Sequence, residues 1–233
     1  MKPNFHIRAS GNKTAEILIY GDIGADWFGE GITAKSFAED LKAIGKMDTL
    51  KIRINSAGGD VFDALAIFNT LRRNSARKEV SVDGMALSAA SIIAMAGDLI
   101  SIAENAMLMI HDPWAVTMGT AEDMRKQADL LDQVKENLVT TYENRTGRKA
   151  EDVRKMMSAE TWMRAKDAVE QGFADEITAD LAVAARFDPR RFKNIPTEIL
   201  AFVKEQQHST PLQDMRRSRL NDLAARAGRM SPT

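Results

Sequence analysis

Gly84-Met85-Ala86-Leu87-Ser88-Ala89-Ala90-Ser91-Ile92-Ile93-Ala94-Met95-Ala96-Gly97 is followed by an apolar segment that ends at Met109-Ile110-His111-Asp112-Pro113. The small-residue turn places Ser88 in the first turn of a helix over 88–96, buried on most of its circumference. Two strands, Leu99 to Ala103 and Ala106 to Ile110, then deliver a histidine just before a proline loop. A serine nucleophile needs a general base within reach, and this layout places one of each on a single α/β stretch.

Composition narrows the chemistry around that pair. The chain has 233 residues, enough for one sizeable core, and its net charge of −1 gives no global reason to invoke nucleic acid or membrane. No apolar run approaches the ~20 residues of a membrane span, and the first fourteen residues lack the apolar centre of a signal peptide, so a cytoplasmic protein is expected. There is no cysteine, which removes disulfides, thiolate metal sites and cysteine nucleophiles together. Of three histidines, His6 lies in a polar amino-terminal segment and His208 beside Ser209-Thr210-Pro211, so a histidine base is almost forced onto His111. Neither an H-E-x-x-H pair nor a G-x-x-x-x-G-K-[ST] loop occurs, so metal hydrolysis and intrinsic ATPase activity lose ground and neither a cofactor nor a metal is expected.

Working outward, Ile17-Leu18-Ile19-Tyr20 reads as a strand buried on both faces, closed by Gly21-Asp22, and the Gly-rich stretch to Gly31 as a loop. Thr33 reads as an N-cap for a helix carrying Phe37, Leu41 and Ile44, stopped by Gly45. Leu50, Ile52 and Ile54 alternate with Lys51 and Arg53, the pattern of a half-buried strand. Asn55-Ser56-Ala57-Gly58-Gly59-Asp60 is a sharp turn into a helix with Val61, Leu65, Phe68 and Leu71 at helical spacing, and Val80 and Val82 begin a strand that ends at Gly84. This strand–helix alternation predicts an α/β fold with a largely parallel sheet.

Thr120 and Asp123 form a capping pattern ahead of a long helix striped by Met124, Ala128, Leu131, Val134, Leu138 and Tyr142 and ended by Arg145-Thr146-Gly147-Arg148. Short helices over Ala150 to Met157 and Ala165 to Gln171 follow, and Phe173 to Ile177 returns to the sheet. Residues 186–233 hold ten Lys or Arg against five Asp or Glu, a basic tail in which Pro196 starts one helix and Leu212 to Ala227 forms another. A solvated, partly disordered tail is favoured over a docking role.

Three pieces converge on acyl chemistry. Gly58-Gly59 at a strand end can present a backbone N–H without side-chain obstruction; Ser88 opens a helix whose free N–H groups favour developing negative charge, with the Ala89 amide as the natural second donor; and His111 ends a strand before a proline loop, a suitable perch for a base that must reach a neighbouring serine. Each alone has a bland explanation: a simple turn, a small packing residue, a satisfied core histidine. Their order along one chain raises the odds.

The segments Asn55-Ser56-Ala57-Gly58-Gly59, Gly84-Met85-Ala86-Leu87-Ser88-Ala89-Ala90, Met109-Ile110-His111-Asp112-Pro113 and Ala168-Val169-Glu170-Gln171-Gly172-Phe173-Ala174-Asp175 resemble the ClpP-type serine peptidases, collinearly from about Ile17 to Ile177. The Ser88-Ala89-Ala90-Ser91 and His111-Asp112-Pro113-Trp114 wording is most similar to the phage and prophage head-maturation branch. The resemblance implies a peptidase domain over 1–180 and a basic tail over 181–233, helical or partly disordered. It implies repeated β-β-α units, the ClpP/crotonase-like spiral, with a long handle helix from Thr120 to Arg145, and ring-shaped homo-oligomers with sites facing an interior chamber.

Residue by residue, the resemblance puts Ser88 at the nucleophile, His111 at the base, and the Gly59 and Ala89 amides at the oxyanion hole. Ser91 is a rival nucleophile, disfavoured because no glycine lies four residues before it. The acid slot, usually aspartate, holds Glu160 here, with Asp112, Asp152 and Asp167 as lesser candidates. An extended polypeptide substrate would pair near Gly58, Gly59, Asp60 and Val61 on one side and Ala115 and Val116 on the other. The expected substrate is a scaffold or capsid precursor, acted on in the host cytoplasm or the assembling phage head. An ATP-dependent unfoldase partner is not indicated, nor is nucleic acid. Two alternatives keep the fold: a catalytically inactive scaffold-binding homologue, and a crotonase-type acyl-CoA enzyme, which would not need Ser88 and His111 together.

Overall fold

The computed structural model describes residues 4–11, 13–25, 31–179, 189–197 and 199–200. In chain order the elements are β1 (Asn4–Ala9), β2 (Thr14–Tyr20), α1 (Ala34–Ala43), β3 (Thr49–Ser56), α2 (Val61–Arg73), β4 (Arg77–Leu87), α3 (Ala89–Ala94), β5 (Leu99–Ala103), β6 (Met107–Ile110), α4 (Ala121–Thr146), α5 (Ala150–Ser158), β7 (Thr161–Arg164), α6 (Ala165–Glu170) and β8 (Glu176–Thr178). The predicted α/β class is the observed one. The helix over Leu212 to Ala227, His208, and Phe202 and Val203 of the helix placed after Pro196 lie outside the described residues.

The sheet runs β1-β2-β3-β4-β5-β8, with β1 antiparallel to β2 and the other neighbours parallel. Its register sets Ile17, Ile52, Val80 and Ile100 in one row and Ile19, Ile54, Val82 and Ile102 in the next. All eight are buried, in one cluster with Phe37 and Leu41 of α1, Ala64, Ile67 and Leu71 of α2, and the apolar residues of α3. Thr33 caps α1 by accepting the Ser36 N–H at 3.1 Å, and Gly45 ends it at φ +74°.

Several expectations need correction. β2 is buried on one face only: Leu18 and Tyr20 alternate outward, because the opposite face of β2, β3 and β4 carries Glu16, Lys51 and Arg53. There Arg53 Nε donates to the buried Asp83 at 2.7 Å, and the Tyr20 hydroxyl donates to the same carboxylate. α2 turns Ala64, Ile67 and Leu71 inward, while Val61, Leu65 and Phe68 flank that face half-buried. The polar amino-terminal segment that holds His6 forms β1, with His6 paired to Leu18. The stripe on α4 is buried only from Val134 onward; Met124 and Ala128 are exposed, so the first half of this helix, about 39 Å long in all at 1.5 Å per residue, stands clear of the core.

The correction that matters most concerns β4, which does not stop at Gly84. Its register against β3 shifts between the Ile54–Val82 and Ser56–Ala86 pairs, an irregularity that inserts extra residues into β4. Past it, Met85, Ala86 and Leu87 leave β5 and pair in parallel with Met107, Leu108 and Met109 of β6. β6 in turn pairs antiparallel with β7, a strand in the interval left unassigned between the two short helices.

Candidate active site

Three adjacent strand ends supply the site. Leu87 of β4 faces Met109 of β6, and the Ser88 N–H donates to the Met109 carbonyl at 2.9 Å, so the residues just past the two strands, Ser88 and His111, emerge side by side. β7 runs the other way, its first residue Thr161 facing Ile110, so Glu160 enters from the same edge.

Ser88 adopts φ 54°, ψ −125°, a strained conformation costing on the order of 1–3 kcal/mol, held because a fully buried helix begins at the next residue. The turn aims its Oγ at His111 Nε2, 2.7 Å away. Gly58 must be glycine to pass this elbow: a Cβ there would lie 2.7 Å from the Leu87 carbonyl oxygen and 2.8 Å from Ser88 Cβ. Gly59 sits at φ +147°, where a Cβ would fall 2.0 Å from the Ile23 carbonyl oxygen. Among the described residues neither the Gly59 nor the Ala89 N–H donates a hydrogen bond, and both residues line the cavity beside Ser88. That cavity is about 390 Å³, with an apolar wall that includes Ile92, Leu131, Val134 and Leu138.

His111 is mostly buried, and burial drives its pKa below the ordinary imidazole value of 6.5; Glu160 and then Asp112 pull it back up, while Arg191 and Lys193 add to the lowering. Its Nδ1 lies 3.9 Å from Glu160 Oε2. Glu160 is itself buried, at φ +52°, and Trp162 Nε1 donates to its Oε1 at 3.3 Å.

The rivals are occupied elsewhere. Ser91 Oγ donates to the Ser88 carbonyl at 2.6 Å and bonds the Tyr142 hydroxyl at 2.8 Å, fully buried and held by main chain and phenol rather than by a base. Asp112 accepts from Lys135 and Ser158, Asp167 accepts the Arg164 N–H, and Asp152 is exposed. Two of the expected substrate-pairing positions are spent: the Gly58 N–H donates to Ser56 Oγ and its carbonyl accepts from Ile23, and the Asp60 main chain is bonded to Ile23 and Ala64. Gly59, Val61 and Ala115 line the cavity, and Val116 projects at 85% exposure.

The sequence reading missed one set of neighbours. Phe192 lies 6.0 Å from the His111 ring and 5.4 Å from Trp162, and the amides of Lys193 and Asn194 donate to the Glu160 carboxylate. The available signal was an apolar Phe192 and Ile195 set between Pro189 and Pro196 in an otherwise charged stretch.

Comparison with known proteins gives a consistent picture. The Clp protease family model matches residues 10–180. The chain is 30% identical over 162 residues to the ATP-dependent Clp protease proteolytic subunit 2 of Tropheryma whipplei, covering 66% of this chain and 90% of that one. It is 34% identical over 124 residues to a proteolytic subunit 1 from Prochlorococcus marinus, covering 52% and 63% respectively. Among solved structures, a ClpP1 point mutant from Listeria monocytogenes superposes with a TM-score of 0.62 at 22% identity, over 71% of this chain and 91% of that one, a likeness of fold.

Proposed function

The chain belongs to the Clp protease family and is a hydrolase of its serine-peptidase type; on that premise we propose that Ser88, His111 and Glu160 form its catalytic triad and that it cleaves polypeptides through an acyl-enzyme. The observation that carries the reading is the 2.7 Å contact between Ser88 Oγ and His111 Nε2 at the mouth of the apolar cavity. Ser88 Oγ attacks the scissile carbonyl carbon while His111 Nε2 takes its proton, and the imidazolium so formed is stabilised by Glu160. The carbonyl oxygen, now an anion, receives the Gly59 and Ala89 N–H groups, donors that cost no reorganisation because glycine geometry and the start of α3 already aim them. His111 returns the proton to the departing amine, and water, deprotonated by the same nitrogen, then frees the acyl group. The substrate strand runs past Gly59 and Val61, with Ala115 and Val116 on its other side.

The finer reading is that the substrate is a phage scaffold or capsid precursor, supported by the Ser88-Ala89-Ala90-Ser91 and His111-Asp112-Pro113-Trp114 wording, and that copies assemble into a ring with α4 between neighbours. Exposure of Met124 and Leu130 on the free half of α4 supports the second part. Labelling with a serine-reactive fluorophosphonate tests the chemistry: modification of Ser88, lost in His111→Ala, is expected, and an assembled wild-type protein that neither labels nor cleaves peptides overturns the proposal. Intact-mass comparison of wild type and Ser88→Ala, each co-expressed with a scaffold precursor, tests the substrate; a precursor that stays whole with wild type removes the phage reading and leaves the triad standing.

A further inference from the structure

Glu160 presents a physical problem that the peptidase domain does not solve alone. Its side chain is 6% exposed, and an ionised carboxylate at that depth needs hydrogen-bond donors or it takes up a proton or swings toward water. Among the described residues of the stretch matched by the family model, the donor that reaches it is Trp162 Nε1, at 3.3 Å, and His111 Nδ1 at 3.9 Å is beyond hydrogen-bond range. The missing donors come from beyond that stretch. The Lys193 N–H lies 2.9 Å from each carboxylate oxygen, and the Asn194 N–H lies 2.6 Å from Oε1.

The segment that carries these amides is anchored independently of them. Phe192 is buried in a small cluster with Ala57, Met85, Leu87 and Met109, on the side of β4 and β6 away from the main core, with Ile195 and Trp162 packed against it. Arg191 pairs with Asp22 at 2.9 Å, and Asn194 Nδ2 donates to the Ala159 carbonyl at 3.0 Å. Apolar burial, an ion pair and a side-chain bond therefore fix the turn, and the turn aims two N–H groups at one carboxylate.

We propose that residues 189–195 form a strap that completes the catalytic site from outside the peptidase domain, with the Lys193 and Asn194 amides as positioning groups that hold the Glu160 carboxylate turned toward His111. The proposal rests on the reading of Glu160 as the partner of His111. Because the donors are main-chain groups, their removal calls for proline, which has no N–H. Asn194→Pro deletes the shortest of the three bonds without changing charge; Asn194→Ala deletes only the bond to Ala159.

In the full-length protein, hydrolysis of a fluorogenic peptide by Asn194→Pro is expected to fall roughly ten- to hundredfold in kcat, with KM within about twofold, while Asn194→Ala stays within about threefold of wild type. In a Glu160→Gln background the proline is expected to cost less than about twofold, since the group it positions is gone. Equal losses in both backgrounds would make the strap merely structural, and wild-type or faster turnover by Asn194→Pro would remove the positioning role. A readout independent of turnover is the NMR titration of the His111 ring. Asp112, Arg191 and Lys193, the other charges acting on it, are unchanged in both variants, so Glu160→Gln and Asn194→Pro should lower its midpoint alike. A wild-type chain that hydrolyses nothing would sink the proposed function, yet the titration would still decide the strap: a His111 midpoint unmoved by Asn194→Pro overturns it.

Discussion

The two halves of this site are held in different ways. On the Ser88 side the support is main-chain and built into the sheet: β4 ends, Ser88 is forced to positive φ, α3 begins, the Ser88 N–H is bonded to β6, and Gly58 lets the neighbouring turn close to within contact of the elbow. On the Glu160 side, the carboxylate proposed as the acid is reached by one indole from its own neighbourhood and by two amides from more than thirty residues downstream. Rigidity on one side comes from covalent continuity and close packing; on the other it comes from a docked segment. A site built this way has one half that withstands changes elsewhere in the chain and one half that depends on them.

That asymmetry can be attacked from its strongest point downward. Ser88→Ala and His111→Ala should each abolish peptide hydrolysis to within about 10³–10⁴ of the uncatalysed rate, the residue left by binding and the oxyanion amides, and each should remain folded by circular dichroism. Glu160→Gln should cost less, roughly 10²-fold or more in kcat measured on the same peptide; activity close to wild type would remove Glu160 from the triad and leave the nucleophile half intact.

A smaller effect is read in pH. His111 must be neutral to accept the Ser88 proton, and burial lowers its pKa, so kcat/KM should rise with pH through a midpoint below 6.5. Lys193→Gln removes a positive charge that favours the neutral ring and keeps the main-chain N–H of the strap, so the midpoint should move upward; a downward move would contradict the assigned electrostatics. The smallest catalytic effect is expected for Ser91→Ala. It leaves the buried Tyr142 hydroxyl without its Ser91 bond, costing about 1–3 kcal/mol in a denaturant melt, while turnover stays within a few-fold.

What was legible in the sequence follows the same division. Ser88, His111, the two glycines and the capped helices are local patterns, and periodicity, caps and motif order report local geometry well. β1 was missed although Phe5-His6-Ile7-Arg8 alternates apolar and polar, because a run of four is too short to stand out among polar neighbours, and β7 because four residues between two short helices leave no period to detect. The extension of β4 past Gly84 was hidden because glycine reads as punctuation, whereas here it lies in the register shift that steers the strand from β5 to β6. The strap was invisible for a stronger reason. Its amides carry the interaction, and every residue type but proline has one.

The long helix α4 also holds more than its own core face. Near its carboxyl end Tyr142 is bonded to Ser91, which is bonded to the Ser88 carbonyl; about two turns earlier, Lys135 pairs at 2.9 Å with Asp112, the neighbour of His111. Lys135 also donates to Ser158 at 3.0 Å, and Glu136 pairs with Arg154 of α5, the helix that leads into Glu160. Ser88, His111 and Glu160 are thus each moored, at one or two removes, to a single rod. A substitution that loosens the inner half of that rod would be felt at all three positions together.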